Sequence, residues 1–417
     1  MRFGLFLAAV AWAEDIGPPP DLAIAAICDR VAAEFVTAGG RGHEGAVPRA
    51  VQKAASAYKA EISALPMPWR DTATHETFVA PEGEARIPNL AHWAWRSGDA
   101  DWTLALSVIM ARVVQRPGRL LMHTGPVVSP QATYTKPATA AGTEAHACIA
   151  AAGVEEVYHA FDPTPQPDGK HPWAEVLKKG GKLSKQTFAH VSDVMRLHTI
   201  VEYGGVYLDR DAFLHVPVDH YRYSHDAVLG LEMETHERDH AANFGSFMAK
   251  KNATFFRLLW DGMGKEDYVN LSYRFTWGGW SHDSCRKSFA LAMKRPDLVH
   301  LDERLYQFPF PGQSEARGMR GSSIVPPGLL RAARTHEVLH MSGFEWNQAR
   351  TGQLRAKPSI WGTVVWPNVR RAALREPALP PSVLRCVDWL ESKLLERGYL
   401  DEDDLRAINN TQTPSVS

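Results

Sequence analysis

From Arg86 onward the chain alternates short apolar runs with segments of helical length. Leu90 to Trp95, Arg119 to His123, Val154 to His159, Val206 to Leu208 and Ala227 to Leu231 are brief apolar stretches between turn residues, the pattern of buried strands. Trp102 to Val114 and Thr187 to Tyr203 lie between them and are long enough for helices. Strands that alternate with helices imply a parallel or mixed sheet covered on both faces, so the predicted fold class is α/β. Farther along, Val383, Val387, Leu390 and Leu394 recur at helical spacing, which predicts an amphipathic packing helix over Ser382 to Arg397. The polar residues Asn409 to Ser417 are expected to be a disordered tail.

The N-terminus has a different texture. Met1 and Arg2 precede an apolar run from Phe3 to Ala13, and Ala11 and Ala13 flank Trp12, as in a secretory signal peptide cleaved after Ala13. Such a run spans about 16 Å as a helix, short of the roughly 30 Å of a bilayer core. The expectation is a leader at 1–13, with the mature chain at most peripherally held on a membrane. Residues 14–85 contain an alanine-rich helical stretch broken by glycines, then Pro66, Pro68 and Pro81, and are expected to form a stem and linker. The catalytic unit is placed at 86–345 and a C-terminal helical extension with the tail at 346–417. Three sequons, starting at Asn252, Asn270 and Asn409, fit a secretory route.

Charge narrows the partners. Of 417 residues, 46 are Lys or Arg and 47 are Asp or Glu, a formal charge of −1. This chain lacks the basic field of a nucleic-acid binder, and nucleic acid is not expected as a partner. Cys28, Cys148, Cys285 and Cys386 have no zinc-site spacing. They allow up to two disulfides in three possible pairings, or buried free thiols.

The informative segment is His190 to Asp211, HVSDVMRLHTIVEYGGVYLDRD. Ser192 suits a cap or first turn, and Val191, Val194, Leu197 and Val201 form an apolar stripe. Gly204 and Gly205 supply a stop where positive φ is needed. The strand Val206 to Leu208 then ends in Asp209, Arg210 and Asp211. In extended backbone the two carboxylates would point one way and Arg210 the other. Two carboxylates at a strand end can hold a hard divalent cation and leave positions open for phosphate oxygens. The other Asp-x-Asp pairs, at Asp99 and Asp101 and at Asp401 and Asp403, lack that setting and are expected on the solvated surface.

Ser192, Asp193, Arg196 and Tyr203 to Asp211 (YGGVYLDRD) resemble the Ser-Asp-x-x-Arg … Gly-Gly-x-Tyr-x-Asp-x-Asp signature of the DXD-containing sugar-binding region of family 32 glycosyltransferases. Relatives in that group include α-1,4-galactosyltransferases, the yeast initiating mannosyltransferase and, distantly, the clostridial glucosylating toxins. Ile87 to Trp95 is similar to the family's opening strand and Asn243 to Phe255 to its later Asn segment. The resemblance implies a GT-A fold with a Rossmann-like nucleotide-binding half. It implies that Asp209 and Asp211 are the catalytic residues, holding Mn²⁺ or Mg²⁺ against the diphosphate of a nucleotide sugar. Asp193 and Arg196 would contact donor sugar and phosphate, Tyr207 would shape the donor pocket, and Asn243 would bind the donor. His92 and Trp95 would lie at the nucleobase, core packing being the alternative for both. His340 would be a further metal ligand, with His336 as its rival.

Such an enzyme would move a hexose, from a UDP-sugar by preference or GDP-mannose, to a glycan, glycolipid or glycoprotein acceptor with retention of configuration. Glu232 and Glu234, after the strand at 227–231, are candidates for donor or acceptor contacts. Trp277, Gly278, Gly279 and Trp280 replace the family's Gly-Pro pair near the acceptor. The implied location is the secretory pathway, in the Golgi lumen or outside the cell. A catalytically silent sugar-binding protein is the rival of a different class. A metal-dependent phosphohydrolase would need a second cluster of His and Asp ligands, and none accompanies the segment.

Overall fold

The computed structural model describes residues 78–95, 100–124, 140–158, 185–233, 240–262, 285, 287–305, 337–340, 360–375 and 377–412. The leader, most of the stem, Cys28, Asp99, Glu234, Asn270, Trp277 to Trp280 and His336 lie outside them. Among the described residues no helix is long and apolar enough to cross a membrane.

The sheet is built from β1 (Leu90–Ala94), β2 (Arg119–Thr124), β3 (Val154–Tyr158), β4 (Gly205–Leu208), β6 (Ala227–Met233), β7 (His240–Ala249) and β8 (His300–Asp302), in the order β3-β2-β1-β4-β7-β6-β8. Strand β7 runs antiparallel to both neighbours, and all other pairings are parallel. A small two-stranded sheet pairs β5 (Ala212–Leu214) with β9 (Val338–His340). The chain lays down β1, β2 and β3 in one direction and returns to the other side of β1 with β4. That reversal opens a crevice at the carboxyl ends of β1 and β4, where open α/β sheets bind ligands. The mixed sheet covered on both faces is the architecture expected of a GT-A fold.

Helices α1 (Trp102–Val114) and α2 (Ala140–Ala151) cover one face, with α7 (Trp366–Ala373), α8 (Pro381–Glu396) and α9 (Glu402–Gln412) packed outside them. Helices α3 (Lys185–Tyr203), α5 (Thr254–Gly262) and α6 (Lys287–Lys294) cover the other, and the short α4 (Asp219–Ser224) leads into β6. Strand β4 shows the alternation: Val206 and Leu208 enter the first core, Tyr207 the second. Helix α1 is apolar nearly all round because it lies between the sheet and the C-terminal helices. Its fully buried Ser107 is satisfied: Oγ accepts from Trp93 Nε1 at 2.9 Å and donates to the Ala212 carbonyl at 2.7 Å.

The C-terminal segment shares the first core. Val383, Val387, Leu390 and Leu394 join Leu104, Ile109 and Ile149, and a disulfide links Cys148 of α2 to Cys386 of α8. Cys285 is a buried thiol. Asp101 and Asp403 keep side chains exposed to solvent, as expected of the surface, while the expected polar tail is corrected over 409–412, residues 413–417 lying outside those described. Helix α9 continues through Asn409 to Gln412, started by reciprocal bonds between the backbone N–H and carboxylate of Asp401 and Asp404, which hold its first turn together. Asp101 caps α1, accepting from Leu104 N at 2.9 Å and Thr103 Oγ1 at 2.6 Å, and pairs with Arg210 at 2.9 Å.

Candidate functional site

The turn after β4 builds the site. Gly204 and Gly205 both have positive φ, +68° and +101°, and both are sterically closed to a side chain. A Cβ on Gly204 would lie 2.5 Å from Lys251 N, and one on Gly205 2.7 Å from His92 Nε2. The glycines end α3 against β7 and launch β4 directly beneath the acidic residues. Asp209, Arg210 and Asp211 are not extended, as alternation had suggested. Ala212 N donates to Asp209 O at 2.9 Å, closing a tight turn between β4 and β5. The turn brings the two carboxylates together and sends Arg210 to Asp101.

Strand β9 supplies the third group. Its pairing places His340 opposite Ala212, and His340 Nε2 lies 3.4 Å from Asp211 Oδ1 and 3.8 Å from Asp209 Oδ2. Ligand atoms of Asp209, Asp211 and His340 all fall within 4.8 Å of one another, and the three residues are partly exposed. Two carboxylates and an imidazole are a donor set that can hold a divalent metal ion, with one side of the group open to solvent.

Asp209 is fixed from two sides. Tyr207 Oη donates to its Oδ1 at 3.0 Å, and Arg196 Nη1 donates to its Oδ2 at 3.1 Å. Its backbone N–H donates to Gly245 O at 2.7 Å. Arg196 also donates to Phe244 O, to Ser192 O at 3.3 Å and to Ser192 Oγ at 3.1 Å, and lies 3.6 Å from Asp193. Burial works against the Arg196 charge, but Asp209, Tyr207 and Asp193 outweigh it and raise its pKa above the ordinary value. The guanidinium expected to face a donor phosphate is thus turned inward, and what it holds is Asp209. Tyr207 is buried, stacked on Phe247 at 5.3 Å, with only its hydroxyl reaching the site.

His92 is corrected to a core residue. It is fully buried, with Nδ1 2.9 Å from His123 Nε2 and Nε2 2.7 Å from the Gly204 carbonyl, at the end of β4 away from Asp209. Nε2 supports the glycine turn, and Nδ1 is engaged by His123. Trp95 follows β1 at the same sheet edge as Asp209 and is largely buried, its backbone N–H donating to His123 O at 2.9 Å. Asn243 meets His340: its Oδ1 lies 3.1 Å from His340 Nδ1 and accepts from Gly245 N at 2.6 Å. Glu232 is a β6 residue paired with Ala241.

Two contributors escaped sequence reasoning. Gly245 lies under the His340 ring, and its signal was a lone glycine inside a strand pattern, which marks close approach. A buried ionic cluster beneath β9 gave no signal. Asp302 is fully buried and accepts from Arg304 Nη2 at 2.7 Å and Arg304 N at 2.9 Å. Glu337, also fully buried, lies 3.9 Å from Arg304 and 3.5 Å from His220. Burial alone would raise the Asp302 carboxyl, but hydrogen bonds from His300 and Arg304 and the Arg304 charge hold it well below the usual carboxylate range. Burial, with Glu337 and Asp302 nearby, pushes the Tyr221 hydroxyl well up. The cluster anchors the strand that carries His340, three residues past Glu337.

Residues 154–227 match the glycosyltransferase sugar-binding region containing a DXD motif. A search of curated proteins gives no match. Among solved structures, the chain is similar to the PaToxG glycosyltransferase at 15% identity, covering 67% of this chain and 87% of that one, with a TM-score of 0.30. It is also similar to the glycosyltransferase GlyE of Streptococcus pneumoniae TIGR4 at 12% identity, covering 74% of this chain and 64% of that one, with a TM-score of 0.35. Overlaps this loose say nothing of substrate.

Proposed function

We propose that this glycosyltransferase, whose residues 154–227 carry the DXD-containing sugar-binding region, uses Asp209, Asp211 and His340 to hold Mn²⁺ or Mg²⁺ while moving a hexose from a nucleotide sugar to a glycan, glycolipid or glycoprotein. The convergence of those three side chains at the carboxyl edge of β4 carries the reading. A divalent ion bound there would neutralise charge gathering on the departing diphosphate. Arg196 and Tyr207 keep Asp209 aimed at the ion, and Arg210, tied to Asp101, leaves no cation of its own between the carboxylates. Asp193, buried beside Arg196, and Trp95 at the strand edge are the donor contacts we assign, to sugar and base respectively.

Retention of configuration and a UDP-sugar donor complete the reading by resemblance to family 32. We assign 86–345 as the catalytic unit, with a leader at 1–13, a stem at 14–85 and a C-terminal extension at 346–417, and place the enzyme in the secretory pathway. The leader pattern supports that location, and so does the Cys148–Cys386 disulfide, a bond that persists in oxidising compartments. The test is nucleotide release from a panel of UDP- and GDP-sugars with Mn²⁺ and acceptor mixtures. One donor should be cleaved, and Asp209→Asn and Asp211→Asn should each abolish cleavage. Inertness toward every donor rejects the proposal, and unchanged rates in the variants reject the site.

A further inference from the structure

The contacts around His340 determine more than its position. Gly245 N is a backbone N–H, so it can only donate, and the Asn243 atom it meets at 2.6 Å must be the carbonyl oxygen. That same oxygen faces His340 Nδ1 at 3.1 Å. An acceptor can be satisfied there only by a proton on Nδ1, which leaves Nε2 as the atom turned to Asp209 and Asp211. In the neutral ring Nε2 then carries a lone pair, which two carboxylates repel unless a cation stands among the three groups; in the protonated ring Nε2 would instead donate to Asp211 directly.

Gly245 fixes the ring in a second way. A Cβ at this position would lie 2.1 Å from His340 Cε1, 2.6 Å from Nδ1 and 2.7 Å from Nε2, so the imidazole lies directly on the glycine backbone. The same residue binds Asp209 N through its carbonyl, and its neighbour Phe244 binds Arg196 through its own. Three consecutive residues of β7 therefore touch His340, the Asp209 backbone and the arginine that steadies Asp209. Asn243 is itself buried.

We infer that Asn243 and Gly245 are positioning residues that seat His340 with Nδ1 protonated, so that Nε2 is the third ligand atom of the divalent cation. The inference rests on the metal site proposed above. It gives Asn243 a place behind the metal ligand and not against the donor sugar.

The test is Mn²⁺ binding to the full chain, followed by electron paramagnetic resonance with Mn²⁺ alone as probe, with electron spin echo modulation to detect a bound imidazole nitrogen. Wild type should bind Mn²⁺ with a nitrogen coupling that His340→Ala abolishes. Gly245→Ala should displace the ring and remove the coupling. Asn243→Leu, which fills the space without an acceptor, should weaken Mn²⁺ binding by about 10- to 100-fold, as loss of an outer partner to a ligating histidine does. Asn243→Asp keeps the acceptor oxygen and should keep the coupling. Loss of stability alone would lower the folded fraction without changing which atoms bind the ion, and Asn243→Leu covers the case in which Gly245→Ala does not fold. Wild-type affinity and coupling in both Gly245→Ala and Asn243→Leu overturn the inference. Mn²⁺ bound through Asp209 and Asp211 with no nitrogen coupling in wild type also overturns it, while leaving the metal site standing. If wild type takes up no Mn²⁺, the metal site falls and the inference with it.

Discussion

Breaking the Cys148–Cys386 disulfide should cost this protein stability without disarming its site. The bond joins residues 238 apart, so reduction frees a very long loop in the unfolded chain while the native helices stay where their apolar contacts hold them. With loop-closure entropy of about 2.1 + 1.5R ln n cal/mol/K, that span gives about 5.5 kcal/mol at 25 °C, at the top of the observed range for disulfides. Such a loss is roughly four powers of ten in the folded-to-unfolded ratio. The assay is urea unfolding of the oxidised protein, the reduced protein, Cys148→Ser, Cys386→Ser and the double variant. Either single variant opens the same loop, so each should match the double variant, and reduction should move wild type alone. Mn²⁺ binding in the absence of urea should be unchanged, because Ile149 and Val383 still hold α2 and α8 in the shared core. A double variant within about 1 kcal/mol of oxidised wild type, or single-variant losses that add, would refute the reasoning.

Acid should expose the cluster under β9. The Asp302 pKa is lowered by folding, so its contribution is complete above the ordinary aspartate value of about 4 and is lost as pH falls toward the depressed folded-state pKa. Asp302→Asn should cost about 3–5 kcal/mol at neutral pH, and the gap to wild type should narrow below about pH 4 in denaturant titrations. Gly204→Ala should lose at least about 1–3 kcal/mol, since positive φ and the 2.5 Å approach to Lys251 N both oppose a side chain; a thermal shift of under 1 °C would contradict this. Asp101→Ala should cost about 1 kcal/mol through the lost cap, and in a nucleotide-release assay it should slow turnover by freeing Arg210 beside the carboxylates. Arg196→Lys keeps the charge but not the fork, and Mn²⁺ should bind it more weakly than wild type because Asp209 loses its fixed partner.

The sequence was most legible where local patterning and burial agree. Strand β1, helix α1 and the α3–glycine–β4 passage could be read because their residues need no distant partner to declare their conformation. Asp209 and Asp211 were legible for the same reason, although the turn that converges them was misread as strand, since Ala212 N closing onto Asp209 O has no composition mark of its own. His340 could be named only by resemblance, because its approach to Asp211 depends on a pairing across more than a hundred residues of chain. His92 shows the opposite failure. The family resemblance implied a base contact for it, but the space opened by Gly204 and Gly205 takes its ring toward the foot of β4. The Asp302–Arg304–Glu337 cluster was illegible because isolated charges in a sequence are ordinarily solvated, and only the fold closes over these three.

The reversed strand β7 constrains how this protein can change its length. Leu208 pairs with Ser246 and Gly205 with Ala249, while the ladder to β6 shifts register between Leu229 and Gly230. That shift leaves 244–246 without partners on β6, and inserting or deleting a single residue between Asn243 and Ser246 would take Gly245 out from under His340. In a scan of single-residue insertions, that short stretch should stand out as forbidden ground, as intolerant as the acidic turn itself although it carries no acid.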